Sequence, residues 1–234
     1  MGQEAADASF DCVEAEYDHA LTRGIAISGE DRGYFAVGRV DFLRECLRSI
    51  DEAPRLVLDF GCGSGGTSAL LHRELGAREV VGVDVSRRLL ESARRQHGGE
   101  GIRFFRRADY APAAGLDLAF CNGVFHHISE GERPEAIRYV HASIRPGGIF
   151  SFWENSPWSP GARYVMSRIP FDRDAIMVFP HRARRLLREG GFEILRTDYL
   201  FVFPRVLRAL RALERPLSSL PFGAQYQILA RRRS

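Results

Sequence analysis

The sequence contains no lysine: all 33 of its basic side chains other than histidine are arginine. A lysine Schiff base and a Walker-type phosphate-binding lysine are therefore excluded from its chemistry. Cysteine is scarce as well. The four present, Cys12, Cys46, Cys62 and Cys121, have neither the C-x-x-C spacing of a metal knuckle nor the density of a disulfide scaffold, so free thiols are expected. No apolar run approaches the roughly 18 residues of a membrane span. The first 25 residues are acidic and polar, not basic and then apolar, so no signal peptide is expected and a cytoplasmic location is.

The chain has 234 residues, 45% of them hydrophobic, enough for one good-sized α/β domain with an elaboration. Its formal net charge of +3 conceals an asymmetry. Residues 181–234 hold 12 Arg against 4 acids, while residues 1–180 hold 21 Arg against 26 acids. Basic character confined to one end of an otherwise acidic chain does not make a nucleic-acid surface, and no nucleic-acid partner is expected.

From about residue 55, short β-branched runs alternate with helical patterns, as in a parallel sheet with crossover helices. Strands are predicted at 55–60, 80–84, 102–106, 116–121 and 148–154, and helices at 66–75, 87–97 and 134–144. Pro134 fits the first turn of its helix, where a missing N–H costs nothing. Later, a helix over 181–189 stops at Gly190-Gly191, and strands at 192–203 and 225–231 lie side by side. Residues 34–50 read as an amphipathic helix and 10–23 as a weaker one. Residues 1–50 thus form a helical lid before a domain over 51–234, with inserted segments at about 155–178 and 204–221.

Chemistry enters at VLDFGCGSGG, residues 57–66. A strand delivering into G-x-G-x-x-G, here Gly61, Gly63 and Gly66, at the start of a helix lets backbone N–H groups approach a ligand closely. Asp84 closes the strand VVGVD 23 residues after Gly61, placed to accept from both hydroxyls of a ribose. These two features suit NAD as well as other nucleosides. Asp109, after IRFFRR, is placed to accept from an exocyclic adenine amine, with Tyr110 beside it; capping of its own turn is the alternative.

Residues 55–154 resemble the class I S-adenosylmethionine-dependent methyltransferases, in particular the small-molecule branch that includes ubiquinone and menaquinone methyltransferases. The residues that carry the resemblance are VLDFGCGSG at 57–65, VGVDVS at 81–86, ADY at 108–110, NGVFHHI at 122–128 and IRPGG at 144–148. It implies an α/β, Rossmann-like, seven-stranded and mostly parallel sheet with the last strand antiparallel and helices on both faces. An N-terminal helical lid and an inserted helix between the last two strands complete the expected architecture. The resemblance also implies S-adenosylmethionine as cofactor, with Asp59, Gly61, Cys62 and Gly63 at its methionyl end, Asp84 and Val85 at the ribose, Asp109 and Tyr110 at the adenine, and the backbone around Asn122 at the ammonium. Asp59 gains a reason from this. An acid at the mouth of the loop repels a dinucleotide's pyrophosphate but attracts an ammonium beside a sulfonium.

Methyl transfer from a sulfonium is an in-line displacement, so the protein must align donor and acceptor and, for a hydroxyl, remove a proton. No metal is required. His126 and His127 follow the fourth strand at the edge of the implied cleft. Adjacent side chains in a turn diverge, so at most one is expected to face the methyl group, with His127 preferred as the base; the alternative is that both are structural, hydrogen-bonding the loop or packing under the lid. Glu154 ends the fifth strand and either orients such a histidine, binds the acceptor or caps the surface. WENSPW at 153–158, with Tyr164 and Phe171, makes either an aromatic lining for a hydrophobic acceptor or a packed lid. Phe10, Tyr17, Tyr34 and Arg39 belong to the N-terminal lid, where an Arg or Tyr is a candidate partner for the cofactor carboxylate.

In PRVLRALRALERPLSSLP, residues 204–221, Arg205, Arg208, Arg211 and Arg215 recur at three- and four-residue steps beside Val206, Leu207, Leu210, Leu213 and Leu217. This reads as an amphipathic basic helix that either packs its leucines on the sheet or makes a peripheral membrane contact. The expected function is methyl transfer to a small-molecule acceptor, foremost a hydroxyl oxygen of a hydrophobic or lipid-like metabolite, by a monomer or homodimer. Two other readings stay open. One is an NAD-dependent oxidoreductase, against which Asp59, Asp109 and the IRPGG turn argue. The other is a cyclase or pure binding protein that holds the cofactor without transferring its methyl group.

Overall fold

A computed structural model describes residues 28–168 and 175–233. Asp31 opens the first helix, α1 (Arg32–Ser49), by accepting a hydrogen bond from the Tyr34 N–H at 2.7 Å. The alternation read from the sequence follows as β1 (Leu56–Phe60), α2 (Gly66–Leu75), β2 (Glu79–Asp84), α3 (Arg87–His97) and β3 (Ile102–Arg106). Ser86 turns β2 into α3, its Oγ accepting from the Leu89 N–H at 3.3 Å. β4 (Leu116–Asn122) passes through a 3-10 turn, Phe125–His127, to α4 (Arg133–Ser143) and the long β5 (Ile144–Asn155). The chain then forms α5 (Pro160–Arg168), α6 (Pro180–Glu189), β6 (Phe192–Leu200) and β7 (Gln225–Arg232).

All seven strands make one sheet in the order β3-β2-β1-β4-β5-β7-β6. The strands from β1 to β5 pair in parallel, and β7 runs antiparallel to both of its neighbours. The expected mixed sheet is therefore present. Its order reverses between β1 and β4, so successive crossovers leave to opposite sides there and open a crevice beyond the carboxyl ends of those strands.

Two apolar layers hold the sheet. On one face α4 and α6 set Ile137, Val140 and Leu187 against Leu58, Phe150 and Phe152. On the other, α1 and α2 set Leu43, Leu47 and Leu71 against Val57, Leu118 and Trp153. Each such fully buried side chain contributes about 1.5–3 kcal/mol. The described part of the expected N-terminal lid, α1, is thus a layer of the core; the weaker helix expected at 10–23 lies outside the described residues, as do Phe10, Tyr17 and Phe171.

Two expectations need correction. Trp153 does not line an acceptor site: β5 is buried on both faces, and Trp153 falls on the α1 side, its ring 6.2 Å from Phe42 and its Nε1 donating to Ser151 Oγ at 2.9 Å. The basic insertion is not an α-helix. It coils as 3-10 turns over Arg205–Leu213, with Leu207 at φ −105°, ψ 20°. The segment is held by its polar groups instead of its leucines. Glu214 accepts the Phe203 N–H at 2.9 Å, and Ser218 Oγ donates to Asp198 Oδ1 at 3.0 Å. Leu207, Leu210 and Leu213 remain exposed and do not pack on the sheet.

Candidate active site

The loop after β1 folds over the end of β2, where Gly61 N–H and Cys62 N–H both donate to the Val83 carbonyl, at 2.8 and 3.1 Å. Gly61 has φ +76°, and a Cβ there would stand 2.2 Å from Val124 Cγ2. Left-handed backbone and close approach together require glycine. Asp84 shapes the same loop: its two carboxylate oxygens accept from Gly63 N–H at 2.8 Å and from Ser86 N–H at 2.9 Å. A carboxylate at this strand end is the group that two ribose hydroxyls would donate to.

Asp59 lies behind the loop, 2% exposed, with Ser68 Oγ of α2 donating to it at 2.6 Å. Burial pushes its carboxyl up to about 7; the Ser68 hydrogen bond opposes this, Asp84 reinforces it, and Arg39 opposes it. Arg39 reaches in from α1, buried, with Nη1 donating to Gln225 Oε1 at 2.9 Å. Burial lowers the guanidinium to about 10, assisted by Arg32 and resisted by Asp59. Two polar atoms here, Arg39 Nε and Asn122 Oδ1, are buried with no hydrogen-bond partner among the described residues. A buried donor and a buried acceptor left unpaired are each costly, by about 1–3 kcal/mol.

Both atoms belong to residues that wall one cavity of about 920 Å³ beyond the carboxyl ends of the strands, at the large end of the roughly 300–1,000 Å³ usual for small-molecule sites. One wall carries Gly61, Cys62, Gly63 and Asn122; the turn after β4 brings His126 and His127; α1 brings Tyr34 and Arg39. A further wall, mostly apolar, comes from α5, the stretch 201–204 and the stretch 222–225, where Gln225 is its polar member.

The histidine turn is held from several sides. Glu154, wholly buried on β5, places Oε2 2.5 Å from His126 Nδ1, while its Oε1 accepts the Phe125 N–H at 2.7 Å. Buried Arg133 donates through Nε to the carbonyls of Phe125 and Ile128, both at 3.0 Å, and through Nη2 to that of Ile176 at 3.0 Å. Ile176 N–H returns a bond to the His126 carbonyl at 2.9 Å. The expected divergence of the two histidines does not occur. Their ring centroids are 4.1 Å apart and both residues line the cavity, because Glu154 fixes the His126 ring within a tight three-residue turn.

The other expected residues sit on the same carboxyl edge of the sheet. Val85 is half-buried after β2, Asp109 is exposed in the 3-10 turn after β3, and Tyr110 packs its ring 5.4 Å from Phe105. Tyr164 and Trp158 are largely exposed; the lining that α5 provides is small, through Gly161, Ala162 and Val165. Sequence reasoning missed Arg133, Phe201, Phe203, Phe222 and Gln225. The signal for part of this wall was FVFP at 201–204, an apolar run cut by proline, where Phe201 at φ +62° ends β6.

A glycine loop shaped by a strand-end acid, at the switch point of a sheet in this order, defines the class I S-adenosylmethionine-dependent methyltransferase fold. Residues 57–148 match the family described as a methyltransferase domain. A trans-aconitate 2-methyltransferase of Azoarcus sp. (strain BH72) is 36% identical over 148 residues, 60% of this chain and 56% of the relative. That of Rhodopseudomonas palustris (strain BisB18) is 33% identical over 112 residues, 46% of this chain and 42% of the relative. The chain thus spans about half the length of these curated relatives. A demethylmenaquinone methyltransferase of Thermus thermophilus is 26% identical over 188 residues, 77% of this chain and 80% of the relative.

Among solved structures, an S-adenosylmethionine-dependent methyltransferase of Mesorhizobium loti superposes with a TM-score of 0.59 at 23% identity, covering 80% of this chain and 96% of the other. The cyclase SpnF does so at 0.58 and 19%, covering 82% of this chain and 80% of the other. Residues 57–148 thus match a methyltransferase domain, and the sheet has the fold of the class I S-adenosylmethionine-dependent methyltransferases. These matches support S-adenosylmethionine, in preference to NAD, as the cofactor. No group of three or more side chains suited to hold a metal ion occurs among the described residues, and no helix among them is long and apolar enough to cross a membrane.

Proposed function

We propose that this protein transfers the methyl group of S-adenosylmethionine to a small-molecule acceptor, foremost a hydroxyl oxygen of a hydrophobic or lipid-like metabolite, leaving S-adenosylhomocysteine. The observation that carries this reading is the single cavity that joins the glycine loop to the Glu154-held histidine turn. The cofactor supplies a methyl group activated on a sulfonium. The chain's own residues fit its other end. Asn122 Oδ1 is an unmet acceptor suited to the ammonium, and Arg39 Nε an unmet donor suited to the carboxylate. Asp59 acts on the cationic end from behind the loop, through its charge, while Gly61, Cys62 and Gly63 present bare backbone. Asp84 and Val85 take the ribose, and Asp109 with Tyr110 the adenine.

His126 is the general base in this reading. With Nδ1 turned to Glu154, the imidazole is fixed in ring orientation. A hydroxyl acceptor would give up its proton to His126 as its oxygen takes the methyl group, with S-adenosylhomocysteine as the leaving group. Glu154 is a positioning residue. His127, preferred on sequence alone, serves at the acceptor side of the same wall. A hydrophobic acceptor enters past Phe203, Pro204 and Phe222, and a membrane contact by 204–221 belongs to this picture.

Calorimetric titration with S-adenosylmethionine, followed by product mass, tests the proposal. A gain of one methylene on the acceptor is expected. Absence of cofactor binding would sink it, and a product isomeric with its substrate would assign cyclisation instead, the activity named for one structural neighbour.

A further inference from the structure

The segment 204–222 turns its polar groups inward and its apolar groups outward, the reverse of a water-facing amphipathic element. Glu214 and Ser218 are buried and hydrogen-bonded to Phe203 and Asp198. Arg211 pairs with Glu30 at 2.7 Å and lies 4.5 Å over the Tyr34 ring; Arg215 pairs with Glu45 at 3.0 Å and lies 4.6 Å over Phe42. Meanwhile Val206 is 88% exposed, Phe222 63%, and Leu207, Leu210 and Leu213 between 42% and 49%. A concentration of large apolar side chains in water marks an interaction surface.

Two further observations say what covers it. Exposed Arg205 and Arg208 are interspersed among these side chains, in the part of the chain that holds 12 Arg against 4 acids. The surface also runs into the cavity entrance, since Pro204 and Phe222 line the cavity. A second copy docked by the same face would bring a second set of the same arginines into one interface, with no acids on that face to pair them. A nucleic acid would leave the leucines in water. An anionic phospholipid surface accommodates both, with cations at the phosphates and apolar side chains at the headgroup–acyl boundary.

We infer that the outward apolar face of 204–222, with Arg205 and Arg208, docks on an anionic phospholipid bilayer and holds the cavity entrance against it. An acceptor dissolved in the bilayer then enters past Pro204 and Phe222 without crossing water. The inference deepens the proposed function, on which it rests only for what enters the cavity.

Co-sedimentation of the full chain, without cofactor, with vesicles of phosphatidylcholine alone and of phosphatidylcholine mixed with phosphatidylglycerol tests it. Binding is expected to the mixed vesicles, at least about tenfold weaker to neutral ones, and reduced by salt. Val206→Ser/Leu210→Ser and, separately, Arg205→Glu/Arg208→Glu are each expected to weaken partition by about tenfold or more. Calorimetric affinity for S-adenosylmethionine is expected to stay unchanged in both, which separates failure of docking from failure of the methyl-transfer reading. No binding to either vesicle overturns the inference, as do variants that bind like the parent. A doubled mass in light scattering that Val206→Ser/Leu210→Ser abolishes, without vesicle binding, assigns the surface to a second copy instead.

Discussion

On the donor side of the cavity, the wall residues Gly61, Cys62, Gly63 and Asn122 lie within one stretch of alternating strands and helices and are set by backbone hydrogen bonds and the carboxylate of Asp84. On the acceptor side the wall is gathered from α5, residues 201–204 and residues 222–225, elements far apart in the sequence. The contrast separates two kinds of constraint. A donor wall written into strand ends moves only if the sheet moves, whereas an acceptor wall of loop and helix side chains changes its shape by single substitutions that leave the sheet intact.

The largest effect is expected where the two walls meet. His126→Ala should lower kcat by roughly 10²–10⁴-fold, the range of a lost general base, with cofactor affinity within about twofold of the parent. Glu154→Gln keeps an acceptor for the Phe125 N–H but removes the charge beside Nδ1. A smaller fall in kcat and an altered pH–rate profile are expected; an unshifted profile would move the base away from this pair.

Next comes the donor wall alone. Asp84→Ala removes two charge-assisted bonds to backbone N–H groups, each worth about 1.5–3 kcal/mol. Cofactor binding should weaken by about 100-fold or more in calorimetry; a loss below tenfold would show that the loop keeps its shape unaided.

Asp59 predicts a pH dependence of stability. Its ordinary value is 3.8 and its folded value about 7, so the folded state holds the proton more tightly than the unfolded. The stability this contributes is complete below about 4 and is lost as pH rises through 7. The difference in unfolding free energy between the ligand-free parent and Asp59→Asn should therefore drift against the parent across that window, by an amount on the order of a few kcal/mol. A constant difference would contradict the raised value.

The smallest effect is expected on the acceptor wall. Phe203→Ala should raise KM for an apolar acceptor several-fold, as about 1 kcal/mol of lost apolar contact implies, and leave cofactor affinity alone. A cofactor defect in this variant would erase the distinction between the two walls.

Between residues 55 and 154 the elements were legible because their signals are local. Apolar periodicity marks strand and helix, Gly61 needs a left-handed backbone, and Ser86 caps the helix it precedes. The insertion was not. Arginines and leucines at three- and four-residue steps announce two faces, but the direction they point was decided by Glu214 and Ser218, whose partners Phe203 and Asp198 lie in the preceding strand region. Trp153 misled because β5 is buried on both faces, so an aromatic residue at its end carries no sign of which side it joins. The histidine pair shows a third limit. Which ring is held depends on a carboxylate 28 residues away, and no local pattern expresses that.

The place of β7 has a consequence for how the chain comes to work during its synthesis. β7 lies between β5 and β6, so β6, though made earlier, has no seat in the sheet until the later strand has emerged to join it to β5. Gln225, the first residue of β7, is also the hydrogen-bond partner of Arg39 from α1. A nascent chain can thus fold its glycine loop long before it can close its cavity, and a ribosome that stops short of β7 leaves a half-built pocket with an orphaned arginine.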